Sequence, residues 1–310
     1  MIRFAIKSFI WAFLLVVFHS CKKDNDPADL RLDKLESTDY VNNVVITEYT
    51  YDNQGRMTSI SKKRNNEDPV VTVTISYNGN EATLLSFPDY DPSLNQQSEV
   101  RFILDASGKP LKRTEFTKRI SKNIPIYPHQ EYINDTLIYE YDAAGLLKQT
   151  TGSRRDSIWI QADHTVTRKI TVINSYSNVA GNLVSSDEYI TYPSTETQGG
   201  VITISGGSSR YRKTFYYTKG YPNKTDFKNA FVLNEYRLSH ESLLNSNYKN
   251  MHEEVAIHNM DWDINGAVIF DSKGNITMDR TYDGNGFLSS VIIPPGSTQD
   301  VRIIYSYKRR

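Results

Sequence analysis

The sequence predicts an all-β protein, a large antiparallel meander of hairpins whose sheet is strongly curved or partly closed. A turn phrase built around Asp and Gly recurs along the chain, and apolar and polar residues alternate between its copies. The composition agrees, since 21 Tyr and 12 Phe residues accompany abundant Val, Ile and Thr. These residue types fit a pleated, half-buried surface, so all three observations favour paired strands.

The recurrent phrase is an aromatic or apolar residue, then Asp, two free positions and Gly. The Asp side chain opens a type I turn by accepting a hydrogen bond from the backbone two residues on. The Gly takes the positive φ that closes the turn as a bulge. Each copy therefore predicts the end of a β-hairpin. The six copies pair Asp52 with Gly55, Asp105 with Gly108, Asp142 with Gly145, Asp263 with Gly266, Asp271 with Gly274, and Asp283 with Gly286.

The segments between the turns alternate with a period of two residues. Val71, Val73, Ile75 and Tyr77 point one way, and the Thr and Ser residues between them point the other. This alternation is typical of an antiparallel sheet with one solvated face. About 16 to 18 segments fit the pattern. An open sheet of that size must curl, close or fold onto itself.

Residues 226–246 interrupt this alternation. The segment contains good helix formers, and Val232, Tyr236 and Leu243 could share one helical face behind a cap at Asp226. We predict one or two short helices here. They would plug or cover the buried face of the curved sheet, or they would form a long surface insertion.

The N-terminus carries a signal segment and the only cysteine of the 310 residues. Arg3 and Lys7 precede an apolar stretch at 9–18, which is too short to span a bilayer comfortably. Cys21 follows directly behind Ser20, and the segment resembles the lipobox of bacterial lipoproteins. That resemblance implies a signal peptide at 1–20 and an acylated Cys21 that anchors the chain in a membrane. We expect a flexible tether at 21–43; the alternative is an uncleaved signal anchor with a free Cys21 thiol.

Composition excludes several classes of function. The precursor has 36 basic and 36 acidic residues. Cleavage would remove Arg3 and Lys7 and no acid, which leaves a formal charge of −2 from 34 basic and 36 acidic residues. This balance does not favour nucleic acid as a partner. A lipidated Cys21 leaves no thiol for a disulfide or a Cys-ligated metal. We expect no cofactor.

One segment carries the oxygen spacing of a calcium loop. Asp261, Asp263 and Asn265 stand at positions 1, 3 and 5, with Gly266 next, but Ser272 occupies the twelfth position where a bidentate Glu is expected. The turn at Asp263 explains the same residues, so calcium remains a weak hypothesis. The sequence shows no nucleophile elbow, phosphate loop or dinucleotide fingerprint.

The aromatic surplus gives the one hint of a ligand. Tyr and Trp rings on a solvated sheet face could stack on sugars or grip a peptide. The alternative is that these rings pack on the buried face or across strands. The candidate rings are Trp159, Tyr211, Tyr216, Tyr217, Tyr221 and Trp262.

The turn phrases resemble the YD-type repeats of Rhs-like proteins, over most of residues 44–310. Together with the cysteine segment, they also resemble a family of uncharacterised Bacteroidota lipoproteins with a porin-like, strongly curved sheet. The polar stretch at 22–26 resembles the surface-export signal of such lipoproteins. These resemblances imply one β domain at 44–310 that is lipid-anchored to the outer membrane, at the cell surface rather than the periplasmic face. They carry over no catalytic residue.

We therefore expect a non-catalytic binding or structural module whose partner is a glycan or an envelope protein. The alternatives are a glycan-active hydrolase, which needs two carboxyl groups converging in a cleft, and an inert scaffold or assembly partner.

Overall fold

The computed structural model describes residues 30–38, 43–87, 94–121, 130–161, 163–217, 254–284, 287–293 and 301–309. Strands and turns, and no helix, make up this described part of the chain. The strands are β1 (Leu30–Thr38), β2 (Val44–Tyr51), β3 (Met57–Arg64), β4 (Val70–Asn78), β5 (Glu81–Ser86), β6 (Leu94–Leu104), β7 (Pro110–Ser121), β8 (Gln130–Tyr141), β9 (Leu147–Gln161), β10 (His164–Val179), β11 (Asn182–Thr191), β12 (Ser194–Gln198), β13 (Val201–Ser205), β14 (Gly207–Tyr216), β15 (Glu254–Asp263), β16 (Val268–Thr277), β17 (Asp279–Tyr282), β18 (Leu288–Ile293) and β19 (Val301–Arg309).

The sheet is an antiparallel meander that nearly closes on itself. From β1 to β11 each strand pairs with the next along the chain. The order continues from β11 to β14, β15 and β16, and β17, β18, β19 and β1 pair in turn. Only Met278 separates β16 from β17. The segment 268–282 thus pairs with β15 through its first part and with β18 through its last part, so it links the two ends of the sheet. This strongly curved, partly closed antiparallel meander confirms the predicted fold class.

A two-stranded arm extends from this sheet. Strand β12 follows β11 after Tyr192 and Pro193 and pairs with the start of β10. Strand β13 pairs with β12 and leads into β14 through Gly206. Gly199 and Gly200 form the two-residue tip with φ of 54° and 80°, a conformation that glycine adopts without steric cost. We call residues 194–205 the β12–β13 arm.

Four of the expected hairpin ends share one geometry. Around Asp52, Asp105, Asp142 and Asp263, the Gly three positions later has φ between 76° and 85° and donates its N–H to the Asp carbonyl. The Asp Oδ1 also accepts backbone N–H groups two and four residues on. Asp283 accepts the N–H of Phe287 in the same way, while Gly286 lies outside the described residues.

The turn expected at Asp271–Gly274 is wrong. Both residues lie within β16, where Asp271 pairs with Met260 and Gly274 with Ile257. The turn at Asp263–Gly266 has already reversed the chain, and β16 must then stay extended to match β15. Asp271 makes a 2.8 Å contact from its Oδ1 to Nε2 of His258 across the strand pair, so its carboxylate serves a cross-strand pair instead of a turn.

The tether expected at 21–43 also needs correction. Residues 30–38 form β1, which pairs with β2 on one side and β19 on the other. Leu32 and Leu35 are buried in the core, and burial of these side chains favours the ordered strand over a solvated linker. Residues 30–38 therefore belong to the sheet and not to a tether. The lipid attachment at Cys21 and the helices expected at 226–246 lie outside the described residues.

The inner face of the curved sheet carries the core. One buried cluster fills the side of β2 to β6 and includes Tyr49, Met57, Leu84 and Phe102. A second cluster lies toward β11, β14, β15 and β18. Between them, β7 to β11 present charged and polar side chains to the interior, and these line the inner cavity described below.

Candidate functional site

The six rings proposed from the sequence do not form one platform. Trp159 is exposed on the outer face of β9, and its ring meets Tyr132 edge-on at 5.2 Å. Tyr217 donates its hydroxyl to the carbonyl of Leu183 at 2.6 Å and packs against the second core cluster. Tyr216 is exposed on β14. The ring of Tyr221 lies outside the described residues.

The other two proposed rings line two different concavities. Trp262 lies on the outer face, beside an open groove of about 580 Å³. Tyr211 lines a cavity of about 1550 Å³ on the inner face. We call these concavities the outer groove and the inner cavity. The volume of the outer groove lies in the range of small-molecule sites.

The outer groove is built where β10, β11, β14 and β15 lie side by side. Strand pairing sets Tyr189 opposite Arg210, and Ser208 opposite Trp262. Because side chains on one face of a sheet recur every second residue, these positions from separate strands project to the same side. The groove lining consists of Ile173, Ser175, Asp187, Tyr189, Ser208, Arg210, Trp262 and Gly266.

An ion pair forms part of the lining of the outer groove. Arg210 donates from Nε and Nη2 to the two carboxylate oxygens of Asp187, at 2.9 and 2.6 Å. Arg212 adds a 3.0 Å hydrogen bond from Nη2 to Oδ2 of Asp187. The hydrogen bonds from Arg210, together with those from Arg212, hold the pKa of Asp187 below its ordinary value. The carboxylate is therefore ionised and held in place at neutral pH.

This arrangement suits a polyhydroxylated ligand. The rings of Tyr189 and Trp262 offer apolar faces, and Tyr189 is 42% exposed. The hydroxyls of Ser175 and Ser208 and the Asp187–Arg210 pair offer hydrogen-bond donors and acceptors beside them. Concave sites commonly combine apolar walls with a few fixed polar groups that set ligand orientation.

The inner cavity holds a network of paired charges. Glu115 and Asp135 face each other across β7 and β8. Arg113 donates to both, from Nη1 to Oδ2 of Asp135 at 2.8 Å and from Nη2 to Oε2 of Glu115. The Arg113 side chain is only 9% exposed. The buried Arg113 guanidinium thus pairs with two half-buried carboxylates at once, and such pairing is what a buried charge requires.

The two acids of this network differ in proton affinity. Burial disfavours the charged form of Glu115, but Arg113 and the hydroxyls of Thr117 and Ser98 outweigh it and lower the pKa of Glu115. Burial raises the pKa of Asp135, and Arg113 offsets only part of that effect. The difference arises because Glu115 has two hydroxyl partners in addition to the guanidinium.

The lining of the inner cavity also includes Lys213. Burial lowers the pKa of Lys213, against the opposing effect of Glu188. The Lys213 ammonium lies 5.0 Å from the centre of the Tyr211 ring. Burial also raises the pKa of Tyr176 to about 12. The cavity lining therefore carries both signs of charge, with carboxylates and cations placed close together.

In the segment considered for calcium, the central ligand Asp263 already accepts hydrogen bonds from the backbone. Asp263 accepts the N–H of Asn265 at 2.9 Å and that of Ala267 at 2.8 Å through the same oxygen. Asp261 lies in β15 opposite Phe270. Within the ranges that the structure describes, no group of three or more His, Cys, Asp or Glu side chains is placed to hold a metal ion.

Sequence reasoning found Trp262 and missed its neighbours in the outer groove. Asp187, Tyr189 and Arg210 carry no motif, and they meet Trp262 only through the register of two strand pairs, β11 with β14 and β14 with β15. The alternation of Asp187 and Tyr189 on one strand face is the one local signal that could have linked them.

Fold and groove together define an all-β protein with a nearly closed antiparallel sheet and an open polar groove on its outer face. No helix capable of crossing a membrane occurs in the described portion. No protein-family model and no curated protein matches the chain.

Two solved structures resemble the chain in fold. A porin-like protein from Bacteroides vulgatus ATCC 8482 superimposes with a TM-score of 0.47 at 14% identity, covering 90% of this chain and 99% of that one. A porin-like protein from Bacteroides uniformis ATCC 8492 gives a TM-score of 0.45 at 12% identity, covering 92% and 99%. We carry over no residue role from either protein.

Proposed function

We propose that this chain is a lipid-anchored protein of the bacterial envelope that binds a neutral glycan in its outer groove without cleaving it. The observation that carries this proposal is the placement of the Trp262 and Tyr189 rings beside the fixed Asp187–Arg210 pair. Sugars present apolar ring faces edged by hydroxyl groups, and aromatic rings next to charged hydrogen-bonding groups complement both features.

Charge balance favours a neutral ligand over an anionic one. The charged residues in the lining of the outer groove are Asp187 and Arg210, which pair with each other, so the formal charges of the lining cancel. An anion would have to compete with Asp187 for the Arg210 guanidinium, whereas a hydroxyl group can join the existing hydrogen bonds. A protein is the second class of ligand that exposed aromatic side chains could bind.

Binding without catalysis is favoured over hydrolysis by the state of the acid pair. Glu115 and Asp135 do face each other in the inner cavity, as a glycosidase pair would. Both carboxylates, however, accept hydrogen bonds from Arg113 and donate none. A general acid must instead carry a proton toward a leaving group, so we assign the pair to the structural network.

The anchor is proposed from Cys21 and the apolar segment before it. Metabolic labelling with a radioactive fatty acid should label the native chain, and Cys21→Ser should abolish the label. For the location, we propose the outer membrane with the β domain at the cell surface. Protease treatment of intact cells should then degrade the β domain, and full protection would contradict the surface location.

Glycan binding is tested by screening the purified chain on an array of neutral oligosaccharides, followed by calorimetry with the best ligand. Trp262→Ala should weaken binding about tenfold, the effect of losing one aromatic contact worth roughly 1.4 kcal/mol. Trp159→Ala is the matched control, because Trp159 is exposed outside the groove. An array without binding, or equal affinities for both variants, would overturn the proposal and favour a protein partner or a scaffold.

A further inference from the structure

We propose that two copies of this chain pair through strand β13, antiparallel and about a twofold axis at Thr203. All five residues of β13 are exposed on both faces of the strand. Val201, Ile202 and Ile204 are 66–68% exposed. One edge of β13 pairs with β12. Among the described strands, no strand pairs with its other edge.

The backbone groups on the unpaired edge follow from the arm's turn. Gln198 pairs with Val201 across the two-residue tip. In such a hairpin the residues that flank the loop exchange hydrogen bonds, and bonded and non-bonded pairs then alternate. Val201, Thr203 and Ser205 therefore direct their N–H and C=O groups to β12. Ile202 and Ile204 direct theirs to the open edge, where water is their only partner along the described strands.

The edge is complementary to a second copy of itself. With Thr203 on the twofold axis, Ile202 of each copy lies opposite Ile204 of the other. The outward N–H and C=O groups of Ile202 and Ile204 in both copies are then all hydrogen-bonded, which gives four hydrogen bonds across the axis. On the outer face the four Ile side chains of the two copies lie together. Their burial supplies the apolar contact that an isolated strand pair lacks.

Protective features of edge strands are absent from β13. Natural edges are usually blunted by charged side chains, Pro or bulges. Residues 198–208 contain no charged residue and no Pro, and β12 and β13 pair without a register shift. Strand β16 is also exposed along its length, yet it carries Asp271 and Lys273. The contrast favours β13 as the edge that accepts a partner.

A second copy of the chain fits the open edge of β13, because the pairing needs no sequence other than that of β13 itself. The formal net charge is zero for the full chain and −2 after the expected cleavage, so long-range repulsion between copies is weak. Anchoring in one membrane would further raise the effective concentration of the pairing strands.

Engineered cysteines test the pairing directly, since Cys21 is the only native cysteine. The full chain with Cys21→Ser and Thr203→Cys is purified in detergent, treated with a mild oxidant and run on a non-reducing gel. Residues on the axis form a non-hydrogen-bonded pair with Cα atoms about 4.5 Å apart, within the range that a disulfide spans. We expect a covalent dimer at twice the chain mass.

Two further variants make the result decisive. Thr197→Cys in β12 lies one strand away from the edge and should give no dimer. Adding Ile202→Lys and Ile204→Lys to the Thr203→Cys chain sets like charges opposite each other and should abolish the dimer band. A monomer from Thr203→Cys overturns the proposal. Equal dimer bands from Thr197→Cys, persistence in the Lys variant, or cross-linking to a different protein overturn it as well.

Discussion

Asp187 and Arg210 form a two-point ion pair between neighbouring strands β11 and β14, with N–O distances of 2.9 and 2.6 Å. The pair lies on the outer face, and the carboxylate is less exposed than the guanidinium, at 28% against 45%. The planar guanidinium matches the two oxygens and fixes both side chains. The lining of the outer groove therefore contains a rigid polar element in addition to its two aromatic rings.

Replacing this carboxylate should change how stability depends on pH. The pKa of Asp187 is lowered in the folded chain, so the stabilisation is complete above the unfolded pKa of about 3.9 and is lost as pH falls through the folded value. Asp187→Asn should lower the free energy of unfolding by about 0.5–1 kcal/mol at pH 7. Urea unfolding should show this difference at pH 7 and a much smaller one at pH 2.

Asp279→Asn is the matched control for the pH experiment. Asp279 is exposed on β17, and its replacement should leave the urea midpoint unchanged at both pH values. A loss of stability in Asp187→Asn that is equally large at pH 2 would show that packing, and not the ion pair, is responsible.

Two of the glycines in the repeated phrase, Gly108 and Gly274, should differ in how much stability is lost when each is replaced by alanine. Gly108 has φ of 85° and open space around an added Cβ, so Gly108→Ala costs backbone strain alone, about 1 kcal/mol. Gly274 has the same open space in extended β16, and Gly274→Ala should be neutral or slightly stabilising. Urea unfolding of both variants compares them; an equal cost would mean that Gly274 also lies in a turn.

This pair of glycines shows what local sequence can predict. At Asp52, Asp105, Asp142 and Asp263 the side chain and the Gly make the turn within five residues, so the phrase contains all the interactions needed. Asp271 has the same phrase, but eight residues earlier the chain has already reversed at Asp263. Pairing along the whole of β15 then outweighs the local turn preference.

The outer groove lay beyond sequence reasoning for a related physical reason. Asp187 meets Arg210 only because β11 pairs with β14 while the β12–β13 arm extends away between them. No periodicity in the chain encodes that two strands are skipped. The same applies to β1, whose Leu32 and Leu35 are buried by strands from both ends of the chain. Long-range register, not residue type, decides both cases.

Removing the shared cation of the inner cavity should destabilise the fold strongly. Arg113→Met leaves the half-buried carboxylates of Glu115 and Asp135 facing each other without the guanidinium that they share, while Glu115 keeps its hydrogen bonds from Thr117 and Ser98. The expected cost is about 3 kcal/mol at pH 7. Without Arg113 the pKa values of both acids should rise, so the variant should gain stability as pH falls from 7 to 5. Thermal unfolding across that pH range measures the effect.

A triple variant separates charge from shape in this experiment. Arg113→Met combined with Glu115→Gln and Asp135→Asn removes all three charges and should recover most of the lost stability, since no buried charge is left unpaired. If the triple variant unfolds as readily as Arg113→Met, then the size and packing of Arg113, and not its charge, support this part of the sheet.

Gly207 allows the close contact of β14 and β15 beside the outer groove. A Cβ at this position would overlap the carbonyl oxygen of Trp262, a backbone atom that cannot move without displacing the strand. Gly207→Ala should therefore cost about 2 kcal/mol of stability and should also weaken glycan binding, because Trp262 would shift. Gly274→Ala, with open space around its Cβ, controls for a Gly-to-Ala change in a strand. Unchanged thermal stability and glycan affinity in Gly207→Ala would show that Trp262 does not depend on this contact, and the groove would then need a different structural basis.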